Sequence, residues 1–129
     1  MIQREITVLT DIALITCIVQ RGVAEDIIQA AREAGAQGAT VHFARGMGIR
    51  ERLGILGVAV EVEKEVIDIV VSRDQVERVF ERMYLAGNLD TPGMGIMYIT
   101  PLDKAATYIP PEVLAKFSTD EQTNKTKKI

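Results

Sequence analysis

Residues 66–71, Val-Ile-Asp-Ile-Val-Val, are apolar at every position except Asp68. They end a run from Glu61 to Val71 that reads as a strand, and one this apolar needs cover on both of its faces. Residues 12–20, Ile-Ala-Leu-Ile-Thr-Cys-Ile-Val-Gln, show the same near-continuous pattern. After Gly22 the period changes: Ile27, Ile28, Ala31 and Ala34 recur at helical spacing within 24–34, and Gly35 suits the left-handed residue that ends such a helix. A second helix carries Val76, Val79, Phe80 and Met83, with Asp74 and Glu77 spaced as a capping box and Gly87 closing it. Strands at 38–45 and 96–100 complete the pattern, the latter expected to end at Pro101.

The order is strand, helix, strand, strand, helix, strand. Two right-handed strand–helix–strand halves give an α+β, ferredoxin-like βαββαβ sandwich, one antiparallel sheet with both helices on one face. Two helices cannot cover both faces of a sheet whose strands are apolar on both. The uncovered face therefore predicts an oligomer packed sheet to sheet. Residues 118–129 are polar, carry Lys125, Lys127 and Lys128, and read as a disordered tail behind a single domain over 1–117.

Composition narrows the function. A hydrophobic share of 47% supplies a core, and a net charge of −3 implies no basic face for nucleic acid. The single cysteine, Cys17, excludes an internal disulfide framework and fits a reducing, cytoplasmic setting. Arg4, Glu5 and Asp11 interrupt any leader-like apolar run, and no stretch approaches the roughly 18 apolar residues of a membrane span. No nucleophile–base pair is evident, so no catalytic residue or catalytic cofactor is assigned. His42 is the only histidine and has no cluster of ligands at metal-binding spacing, so no metal site is assigned either.

The segment Gly38-Ala39-Thr40-Val41-His42-Phe43-Ala44-Arg45-Gly46-Met47-Gly48 carries the chemistry that remains. An alternating strand runs into a Gly-x-Gly turn, which serves either as a tight strand connection or as a cradle where backbone N–H groups converge on an anion. Beyond it, Arg50, Glu51 and Arg52 form a charged loop that reads as a solvated tip or as a docking element. Lys64, among Glu61, Glu63 and Glu65, fits a solvated strand end or a ligand contact. Asp68 needs a partner within its apolar strand: a ligand hydroxyl, a backbone donor or an arginine.

Taken together, Gly38-Ala39-Thr40, Gly46-Met47-Gly48, Val66–Val71, Ala86-Gly87 and Gly93-Met94-Gly95-Ile96 resemble the nitrogen-regulatory PII signalling family, over about residues 12–109. The resemblance implies a non-enzymatic regulator in signal transduction: a homotrimer with nucleotide sites between subunits. It also implies a 48–62 loop that controls a partner such as a membrane transporter or metabolic enzyme. The effector it implies is an adenine nucleotide (ADP, AMP or ATP). The implied nucleotide-binding residues are Thr40, Arg45, Gly46, Met47, Gly48, Lys64, Asp68, Gly87, Gly93 and Gly95, with Arg50, Glu51 and Arg52 in the partner-binding loop. The alternative is a trimeric metal-responsive protein of the copper-tolerance type, which shares the sheet pattern.

The chain also departs from the PII pattern. The basic pair beyond the last strand falls on Ala106 and Tyr108, and the lysine of the phosphate-wrapping loop on Gly95 or Met94. That loop is longer and contains Pro92, while the 48–64 loop is shorter and has no tyrosine to accept a uridylyl group. A hydrogen bond to a charged group contributes roughly 1.5–3 kcal/mol, so two lost phosphate contacts cost roughly 3–6 kcal/mol. Such a loss takes a micromolar triphosphate site to about millimolar or weaker. A ligand with fewer phosphates loses less, and Arg45, Arg50, Arg52 and Lys104 are the available substitute cations.

Overall fold

The computed structural model describes residues 4–46, 62–112 and 124–128. Its main sheet contains β2 (Ile12–Gln20), β3 (Thr40–Gly46), β4 (Val62–Ser72) and β5 (Gly95–Leu102) in the order β3-β4-β2-β5, every pair antiparallel. Helix α1 (Ala24–Glu33) joins β2 to β3, and α2 (Val76–Ala86) joins β4 to β5. This is the ferredoxin-like βαββαβ arrangement expected from the pattern of apolar residues.

Both helices pack on one face. Ile15, Cys17 and Val19 from β2 and Ile67 and Ile69 from β4 meet Ile27 of α1 and Val79 and Met83 of α2 in one buried core. Alternation along a strand sends the intervening residues to the opposite face. There, Val70 is 45% exposed, Ile96 60% and Tyr98 45%, so within one chain the outer face keeps uncovered apolar surface.

Several local expectations need correction. α2 has Gln75 at its N-cap with no side-chain cap, and Asp74 instead accepts a hydrogen bond from the Ser72 hydroxyl. Pro101 does not end β5, which continues to Leu102 with Ala13 opposite Pro101. The strand lies at a sheet edge, where a residue without an N–H is tolerated. Val41 and Phe43 are exposed, Phe43 by 66%, because β3 is the other edge of the sheet.

A second, three-stranded sheet was not anticipated. β1 (Glu5–Leu9) lies between β6 (Ala105–Ala106) and β7 (Asn124–Lys128), antiparallel to both. Residues 124–128, expected within a disordered tail, are therefore strand, with Glu5 opposite Lys128 and Leu9 opposite Asn124.

Candidate functional site

Four strand ends meet at one end of the main sheet. β2 and β3 finish there, and β4 and β5 begin there: Gly46 is opposite Val62, Gln20 opposite Lys64 and Val19 opposite Gly95. α1 starts and α2 finishes at the same end, since each runs antiparallel to the strand before it. Gly87, the C-cap of α2, packs so closely on α1 that an added Cβ would lie 2.8 Å from Ile27 Cδ1. Arg45, Gly46, Lys64, Gly87, Gly93 and Gly95 are thus brought to a common end of the fold.

The glycines there differ in what they require. Gly93 has φ 84°, and its carbonyl accepts a hydrogen bond from Gln20 Nε2 at 2.8 Å. Gly95 is glycine because of its neighbour strand: a Cβ would come within 2.2 Å of the Ile18 carbonyl oxygen. Arg45 and Lys64 both engage other groups of the chain.

Thr40 and Asp68 form a separate group. They face each other across β3 and β4, and Thr16 and Tyr98 continue the same transverse row on β2 and β5. The buried Thr16 hydroxyl donates to Asp68 Oδ1 at 2.9 Å, so a side-chain donor supplies the partner that this carboxylate needed. Asp68 lies four residues along β4 from Lys64, about 13 Å at strand rise. Within a single chain the two groups of residues therefore lie apart on the sheet.

Met47, Gly48, Arg50, Glu51 and Arg52 lie outside the described residues. Tyr108 is 81% exposed. Among the described residues, no group of three or more His, Cys, Asp or Glu is placed to hold a metal ion. No helix among them is long and apolar enough to cross a membrane.

Sequence reasoning missed the contacts that organise this end. The stretch around Lys64 reads as a solvated strand end or a ligand contact, and in the structure Glu63 pairs with Arg21 at 2.8 Å. Glu65 Oε1 accepts from the backbone N–H groups of Gly22, Val23 and Ala24, at 3.2 Å for Val23 and 3.5 Å for Ala24. A signal was present: α1 begins at Val23-Ala24 without Ser, Thr, Asp or Asn at its cap, so its free N–H groups need an acceptor from elsewhere.

Comparison with known proteins agrees with this architecture. No curated protein is significantly similar to the chain. Among solved structures, the Arabidopsis thaliana PII bound to citrate is similar with a TM-score of 0.59 and 24% identity, covering 73% of this chain and 79% of that one. The model of the nitrogen regulatory protein P-II family matches residues 12–110, which span the whole ferredoxin-like unit. The chain belongs to the nitrogen regulatory protein P-II family.

Proposed function

We propose that this P-II family signalling protein binds an adenine nucleotide at the loop end of its sheet, in the cleft between subunits of a homotrimer. It uses residues 48–62 to control a partner protein, a transporter or a metabolic enzyme, and catalyses no reaction itself. The observation that carries this reading is the meeting of Gly46, Lys64 and the Gly93–Gly95 turn at one end of the sheet. Glycine turns let backbone N–H groups approach phosphate oxygens, and a lysine supplies a countercharge.

The outer sheet face supports the oligomer. Val70, Ile96 and Tyr98 present apolar surface beside the Thr40–Asp68–Thr16–Tyr98 row. In this reading, copies packed through these faces share each ligand, one chain supplying its row and another its loop end. The exposed Tyr108 and the small Ala106, in place of two cations, favour ADP or AMP over ATP.

Titration with ATP, ADP, AMP and cyclic AMP, each with and without 2-oxoglutarate or bicarbonate, tests this reading. Micromolar binding at one site per chain, weakened at least tenfold by Lys64→Ala or Gly48→Val, is the expected result. Absence of binding by every nucleotide overturns it. Hydrogen exchange across 45–65 then tests the loop mechanism: bound nucleotide must change protection there, because a ligand shifts a segment only by contacting its states differently.

A further inference from the structure

In the sheet order β3-β4-β2-β5, β2 separates β4 from β5. The last residue of β2 and the turn that follows it are bonded to the two sides of that separation. On one side, Gln20 Nε2 donates to the Gly93 carbonyl at 2.8 Å, and the Gln20 backbone N–H donates to the Met94 carbonyl at 3.4 Å. On the other, Arg21 Nη1 lies 2.8 Å from Glu63 Oε2, and the Arg21 guanidinium stands 6.0 Å from the centre of the Phe43 ring. Glu65, two residues along β4, gathers the N–H groups of Gly22, Val23 and Ala24. Gly22 takes φ 97°, and a Cβ added there would meet no atom within 4 Å.

We propose that the Gln20–Ala24 turn is a relay in which Arg21 is a positioning residue, making the Gly93–Gly95 turn and the adjoining ends of β3 and β4 respond together. The two regions belong to different halves of the fold, and no strand ladder joins them directly. Both are held by the same turn, so displacement of Gly93 acts on Gln20, then on Arg21 and Glu63. The Arg21–Glu63 pair is well exposed, at 69% and 50% of its side chains, so it forms and breaks at small cost. Such a link suits a switch, whereas a rigid core contact would not. The inference deepens the nucleotide-sensor reading and rests on it for the ligand involved.

The test is amide hydrogen exchange on the full chain, first without any ligand. Arg21→Ala is expected to speed exchange at Glu63 and Lys64 and also, across β2, at Met94 and Gly95, by about two- to fivefold. Core amides at 13–17 and 67–71 stay unchanged, which shows that the variant is folded. Charge reversal, Arg21→Glu with Glu63→Arg, is expected to restore both regions. Acceleration confined to Glu63–Glu65, or failure of the reversed pair to restore Met94 and Gly95, overturns the relay. In a second arm with ADP and AMP, nucleotide protects 93–95 and 62–65 together in the natural chain, whereas Arg21→Ala uncouples them. Should ATP, ADP, AMP and cyclic AMP all fail to bind, the sensor reading fails, while the ligand-free arm still decides the relay.

Discussion

Glycine and cysteine positions show how a residue's neighbours determine its role. At Gly95 a methyl group meets backbone, the Ile18 carbonyl oxygen at 2.2 Å, and neither strand can yield without breaking pairing. At Gly87 it meets the end of a flexible side chain, Ile27 Cδ1 at 2.8 Å. Gly95→Ala is therefore expected to destabilise the fold by about 2–4 kcal/mol and Gly87→Ala by about 1–2 kcal/mol in urea unfolding. Cys17 is fully buried, and desolvation raises its thiol pKa from 9.0 to about 12. The folded state thus holds the proton more tightly than the unfolded chain. Its contribution is intact below about pH 9 and is lost as pH rises toward about 12. Alkaline unfolding of Cys17→Ala should lack that component, and a thiol reagent at neutral pH should leave the native protein unmodified.

Among the elements, α1 depends most on a distant residue. Its sequence provides Glu25 and Asp26 near the N-terminus and Arg32 near the C-terminus, which complement the helix dipole, but no side-chain cap. Glu65 supplies the missing acceptor from β4. Glu65→Ala is expected to cost about 1–2 kcal/mol, read by thermal unfolding, with the first turn of α1 exchanging its amides faster. The loss should exceed that from Glu63→Ala, whose partner Arg21 remains solvated. Thr16 presents the same dependence within the sheet: Thr16→Val removes the hydroxyl from Asp68 and is expected to cost about 1 kcal/mol.

For the whole molecule, the outer sheet face and the second sheet make separate predictions. Ile96→Asp places a charge on an apolar face, and light scattering should show a shift from trimer toward monomer if copies pack there. Removal of residues 118–129 takes away β7, one of the two strands flanking β1. Exchange at 5–9 should rise, while that of β2 and β4 stays unchanged, because the main sheet takes no pairing from β7. Both the family match at 12–110 and the main sheet lie between β1 and β7, so the second sheet is chiefly an addition at the chain ends.

Apolar patterning determined the six-element order, both helix positions and the helix core residues Ile27 and Val79, because burial of one face imposes a local repeat that a sequence displays. Gly46 at the end of β3 and Gly95 at the start of β5 were legible for the same reason: they punctuate that repeat. In β2 and β4, apolar on both faces, only the structure shows that Ile15 and Ile67 face the helices. Only tertiary structure decided what meets at the loop end of the sheet. Glu65 under α1, Arg21 against Glu63 and Gln20 on Gly93 each join residues more than forty positions apart. It also decided that Val41 and Phe43 lie exposed at an edge and that β1 and β7 pair. Strand pairing and polar partnership across such separations depend on which elements the fold places side by side, and periodicity in one segment carries no record of its distant neighbour.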